Sequence, residues 1–266
     1  QLLDNPMITV KILNCALYLS NEIQMDREEM YEKLFQAYHR LAFIYQQDIN
    51  LPDATVHTDL MRKRKTKLQE IRTNLPFTLK NKKTDQAFKW ITDQFTTVLK
   101  NAITDTLSVM GTPPSSYCFL GLGPFARYQC SPSSRLQFAI LTSDSSYTTL
   151  EYFRLFFQIL EVTILNLHET PYKVLNFGTI SPIPAGLRLD NGGNIPYTLS
   201  HYGPFSFVGT PFQLAKLQEP NFFKENANAG AVLWEAGFIC GDKKQYDTYR
   251  LELDRILNRK ENIQTR

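Results

Sequence analysis

Between Gly111 and Ala215 only ten side chains are charged, five basic and five acidic, in a block of 105 residues. The chain as a whole is 21% charged, so this block has less than half the chain-wide density. It is also rich in Gly, Pro and aromatic residues. A segment with so few groups to keep it in water must supply the most buried part of the fold. The flanks differ. Residues 1–50 carry 4 basic and 7 acidic side chains, residues 51–110 carry 11 and 6, and residues 216–266 carry 9 and 8. The net charge of +3 is too small to imply nucleic acid as a partner.

The 266 residues allow one large domain or two small ones. An apolar fraction of 43% is that of a globular protein and excludes collagen-like, disordered and disulfide-scaffold classes. No apolar stretch approaches the roughly 18 residues of a membrane span, so none is expected. Cys15, Cys118, Cys130 and Cys240 are far apart and form no CxxC pair. That spacing speaks against zinc and against a disulfide framework, and for a reducing compartment such as the cytoplasm. The chain opens on Gln1 with no signal-like segment, and is expected to be a piece of a longer polypeptide.

Periodicity sets the order of elements. A helix is expected over 24–47, with Asp26 as its cap, Glu28 and Glu29 in its first turn, and Met30, Leu34, Ala37, Tyr38, Leu41 and Ile44 on one face. A second covers 58–73 and opens on Arg62-Lys63-Arg64-Lys65, which reads as a solvated face. The sharper alternative is contact with phosphate or anionic lipid, or an interaction surface for an acidic partner. A third helix covers 84–109, with Phe88, Ile91, Phe95, Val98, Leu99 and Ile103 aligned. After Gly111-Thr112-Pro113-Pro114, the runs 117–120 and 136–142 read as buried strands. Helical spacing returns over 147–167, two short strands fit 172–190, and Asn191-Gly192-Gly193-Asn194 forms a tight turn. From Pro211 onward the signals are helical, ending in an amphipathic helix over 242–262. The result is a mixed α/β (α+β) chain: a helical region 1–110, a core 111–215, and C-terminal helices 216–266 packed on it.

Gly121-Leu122-Gly123 follows the first strand and could bring backbone N–H groups close to an anion. Alone it is an ordinary turn, without GxGxxG or a P-loop ending. The longer stretch 121–141 is more specific, with Gly121, Gly123, Ala126, Arg127, Pro132, Ser134, Leu136, Phe138, Ala139, Ile140 and Leu141. Tyr152-Phe153-Arg154, Asn166 to Pro171, Arg188 to Gly193 and Val208-Gly209-Thr210-Pro211 follow in order. Over about residues 80–220 this resembles the DNA-polymerase-β-like nucleotidyltransferases, closest to domains related to the N-terminal domain of bacterial PII-protein uridylyltransferase. The resemblance implies a mixed-sheet nucleotidyltransferase-type core with helices before and after it. It also implies nucleotide or phosphate contacts at Gly121, Gly123, Arg127, Ser134 and Arg188.

The departures from the family pattern fall on its chemistry. The resemblance implies two carboxylates spaced two apart on one strand and a third on its neighbour, holding two magnesium ions. Hard cations need anionic oxygens, and the pair of metals clamps both the attacking and the departing oxygen. At the paired positions this chain has Arg135 and Gln137; Asp190 alone remains. The phosphate-binding serine of Gly-Ser is Pro124, which has neither hydroxyl nor backbone donor. Arg135 in place of an acid changes the local charge by two units and repels a cation. Two uses of it fit: a salt bridge to Asp190, or a direct grip on a phosphate or carboxylate together with Arg127.

The expected outcome is a degenerate nucleotidyltransferase-fold domain that needs no cofactor and serves a larger protein as a regulatory or scaffolding module. Its expected partners are a protein and a nucleotide or other anion. The rival is a magnesium-dependent transferase of nucleoside monophosphate to a protein, using Asp190 and Glu169. Glu169 has a plainer role as a helix-end cap or loop anchor. His39, His57, His168 and His201 share no metal-ligand spacing. Cys118 reads as a core residue, whereas Cys130 falls in a loop where it can be exposed.

Overall fold

The structure, a computed structural model, describes residues 54–131, 134, 136–165, 167, 189–190, 207–220 and 227–258. Two long helices come first, α1 (Ala54–Asn81) and α2 (Thr84–Met110). Strands β1 (Tyr117–Gly121) and β2 (Leu136–Thr142) follow, then helix α3 (Tyr147–Leu165). Short strands β3 (Leu189–Asp190) and β4 (Val208–Gly209) lead to helix α4 (Pro211–Ala215), which runs on as a 3-10 turn. Helix α5 (Ala227–Trp234), strand β5 (Gly237–Gly241) and helix α6 (Lys243–Leu257) complete the described chain. The protein is a mixed helix-and-sheet fold of the α+β kind. The expected helix over 24–47 and the turn over 191–194 lie outside the described residues.

β1 is central and pairs antiparallel with β2 on one side and with β5 on the other. β3 and β4 both run parallel to the far edge of β2, beside Leu136–Gln137 and Ile140–Leu141 respectively. Helices cover both faces. Phe119, Phe138, Ile140 and Ile239 join a core with Leu68 of α1, Ile91 and Phe95 of α2, and Phe153 and Phe156 of α3. Cys118, Leu120, Ala139 and Leu141 point the other way, onto Leu214, Leu233, Tyr249 and Leu253 of α4, α5 and α6. Successive strand residues therefore enter opposite cores. This explains the unbroken apolar runs of the charge-poor block, because neither face of β1 and β2 is left to water.

Local chemistry accounts for the element ends. Gly111 closes α2 at φ 75°, its N–H bonded to Leu107 O at 2.8 Å, and its own carbonyl accepts from the Tyr152 hydroxyl at 2.6 Å. Thr210 and Gln213 form a reciprocal cap at the start of α4, with Pro211 in the first turn. Asp242 caps α6 by accepting from Lys244 N at 2.9 Å and from Ser116 Oγ at 2.6 Å. These two bonds hold its carboxyl below the ordinary carboxylate range.

Three elements differ from the sequence reading. Helix α1 runs through Pro76 to Asn81 rather than stopping at 73, because Leu68, Ile71 and Thr78 keep its buried stripe going past the proline. Helix α6 ends at Leu257 with Asn258 as its cap, short of 262. Within the stretch read as helical from Pro211 onward, Gly237–Gly241 is a strand, because the open edge of β1 gives it a ladder to complete.

Arg64, in the basic run of α1, reaches across to α2. Its Nε and Nη2 donate to the two carboxylate oxygens of Asp105 at 3.0 and 3.1 Å. Arg62 is turned to Asp59 at 2.7 Å. Arg62 and Arg64 thus serve the chain's own helices. The Asp105 side chain is only 10% exposed, so losing its fork-shaped partner leaves a poorly solvated charge. A double-mutant cycle with Arg64→Ala and Asp105→Ala should return a coupling of about 1 kcal/mol. The same cycle on the exposed Lys67–Glu70 pair should give no more than about 0.5 kcal/mol.

Candidate functional site

Gly121, Gly123 and Gln137, three of the positions singled out by the resemblance, lie together where β1 ends and β2 begins. Beyond Gly121 the chain winds into a tight helical turn over 123–128. Leu122 N donates to Gln137 O at 2.9 Å, which fastens the turn to β2. Phe125 N and Ala126 N bond to Leu122 O, Arg127 N to Gly123 O, and Gln129 N to Pro124 O. Those amide donors are spent inside the turn, and Pro124 has none to offer. Gly123 sits at φ 55°, and a Cβ placed on it would collide with the Gln137 carboxamide oxygen. The glycines here let the turn close over Gln137.

Arg127 points away from this turn. Its Nη1 lies 2.6 Å from Glu235 Oε2 and its Nε donates to Gln129 Oε1 at 3.0 Å. Ser134 is bound up locally, its Oγ accepting from Ser131 N at 2.8 Å and lying 3.1 Å from Ser131 Oγ. Asp190 stands beside Gln137 in register on the parallel pair of β2 and β3. Topology therefore brings Gly121, Gly123, Gln137 and Asp190 to one end of the sheet. Arg135, Arg188 and Glu169 lie outside the described residues, as does the proposed Arg135–Asp190 salt bridge.

The two-magnesium arrangement does not fit these residues. Gln137 offers a neutral carboxamide, and its oxygen is pressed against Gly123. A single carboxylate position, Asp190, cannot supply the anionic oxygens that two hard dications require.

A second feature escaped the sequence. A cleft of about 710 Å³ opens between α2 and α6, with Gly237, Phe238 and Ile239 of β5 in its lining. Lys100 enters from α2, and Lys243 and Arg250 enter from α6. Lys243 Nζ stands 3.9 Å from the centre of the Tyr246 ring and 5.0 Å from that of Phe238. Arg250 Nη1 donates to Trp234 O at 3.0 Å. Lys100 and Arg250 are 150 positions apart in the chain, too far for any spacing motif to join them.

The three described cysteines are structural. Burial pushes the Cys118 thiol up to about 12, and also raises that of Cys240 to about 11. Cys130 is buried rather than exposed, with its N–H bonded to Thr92 Oγ1 at 3.1 Å. A thiol whose pKa is higher in the folded chain contributes stability below the unfolded value near 9 and loses it as pH rises towards the folded one. Urea midpoints should hold from pH 7 to 8.5 and fall between about 9 and 12, with a shallower fall in Cys118→Ala. In a Cys15→Ser protein, the three remaining thiols should resist alkylation at pH 8 until urea is added.

No family model matches the chain. No curated protein matches its sequence. Among the described residues, no helix is long and apolar enough to cross a membrane.

Proposed function

We propose that this is a nucleotidyltransferase-type domain that has lost metal-dependent transfer and serves a larger protein as a regulatory or scaffolding binding module. The carrying observation is the pairing of Gln137 with Asp190 in register on adjacent parallel strands. These are the positions at which the resembled family places carboxylates on neighbouring strands, and one of the two is a neutral amide. Two residues before Gln137 the chain has Arg135 instead of an acid. Phosphoryl transfer depends on charge set around the reacting phosphate, and a local change of two units at that point removes its clamp. The closed turn over Gln137 adds to this reading, because the amide donors of Phe125, Ala126 and Arg127 are already engaged. A module without transfer chemistry acts by holding a protein or an anion in place.

The test is direct. Purified protein is mixed with each labelled nucleoside triphosphate, with magnesium or manganese, and with a protein acceptor. No metal-dependent labelling is expected. Labelling that requires metal and disappears in Asp190→Ala would establish the transferase instead.

A further inference from the structure

We propose that the cleft between α2 and α6 binds a small phosphate ester, with Lys100 and Arg250 holding the phosphate and the rings of Trp234 and Tyr128 bounding its organic part. The charge count carries this assignment. The two acids of the cleft are already neutralised, Asp93 by Lys89 at 3.4 Å and Glu235 by Arg127 at 2.6 Å. Lys243 is engaged as well, by Asp247 at 3.4 Å and by the two rings beneath it. That leaves Lys100 and Arg250, neither of which has a carboxylate in ion-pair contact among the described residues. Two positive charges without a carboxylate partner among the described residues thus line one cleft, one from α2 and one from α6. A phosphate concentrates two negative charges in one group and takes both a guanidinium fork and an ammonium point charge.

Size and rings agree with a small organic ligand. The 710 Å³ volume lies inside the range of about 300–1,000 Å³ typical of such sites. Trp234 is 43% exposed and Tyr128 is 52% exposed, both at the cleft. Tyr128 is also held at φ 57°, the one described residue other than glycine with positive φ. That conformation ends the turn over 123–128, where Gln129 N reaches back to Pro124 O at 2.8 Å, and Lys89 Nζ stands 4.6 Å from the centre of the Tyr128 ring. An extended peptide pairing with β5 is less well served, because the register shift between Phe119 and Leu120 breaks the regular ladder of that strand. The site shares none of its ligand-holding residues with the Gln137–Asp190 position, so it stands or falls separately from the loss of transfer.

The chain has two tryptophans, so a Trp90→Phe protein reports on Trp234 alone. It is titrated without metal, at fixed ionic strength, with phenyl phosphate, inorganic phosphate and succinate. Phenyl phosphate should change the emission saturably, and inorganic phosphate should bind roughly tenfold more weakly for want of the ring. Lys100→Gln should raise half-saturation about tenfold without moving the melting temperature, since Lys100 is exposed, and Arg250→Gln should do at least as much. Lys67→Gln, on α1, should change nothing. The assignment fails if neither phosphate gives a saturable signal, or if Lys100→Gln binds as the parent does. Succinate binding as tightly as phenyl phosphate would overturn the phosphate, and equal affinity for the two phosphates would overturn the role of the rings.

Discussion

Phe119→Ala should cost about 3–5 kcal/mol, a large share of the roughly 5–15 kcal/mol that holds a typical domain folded. Phe119 is fully buried on the central strand, with ring centres of Tyr117, Phe138 and Phe156 at 5.7, 5.8 and 5.5 Å. Truncation removes the transfer energy of the ring and leaves a cavity walled by three aromatic rings that cannot collapse together without moving β1, β2 and α3. The check is the shift in urea midpoint at constant slope. Leu251→Ala provides the contrast, because that side chain is 70% exposed on α6 and should cost less than about 0.5 kcal/mol.

Gly241→Ala should be nearly as damaging, at about 3 kcal/mol. Gly241 sits at φ 100°, and a Cβ there would run into the Tyr117 carbonyl oxygen and Cys118 Cα. These obstacles are backbone atoms of the central strand, so nothing nearby can swing aside. The next residue shows why the approach is close: Asp242 N donates to the same Tyr117 oxygen at 2.7 Å before capping α6. Gly123→Ala should cost only about 1 kcal/mol, since its main obstacle is the far end of the flexible Gln137 side chain rather than backbone. Thermal melts of the two variants, run together, separate a glycine demanded by backbone contact from one opposed by its conformation and a movable side chain.

The long helices and the two central strands were legible because their patterns are local. Thr84–Met110 and Leu136–Thr142 follow within a residue from apolar spacing, and the shortage of charge over 111–215 reflects strands β1 and β2 covered on both faces. β5 was not legible. Its five residues, flanked by glycine, become a strand only because β1 offers an open edge across more than a hundred residues of chain. The neighbourhood of Gly121, Gln137 and Asp190 could be assembled from motif order. The use of those residues could not: Arg127 turns to Glu235, Ser134 to Ser131, and the turn amides to one another. The α2–α6 cleft depends on tertiary placement of residues with no shared motif, and no periodicity reports it.

Manganese binding tests the central claim, that a charge exchange at the sheet end removed a metal site. Electron paramagnetic resonance should give the same free-ion signal for the parent protein and for Asp190→Ala. The double variant Arg135→Asp, Gln137→Asp, which restores both acids beside Asp190, should gain a bound-manganese signal. Manganese held by the parent protein and released by Asp190→Ala would contradict the account.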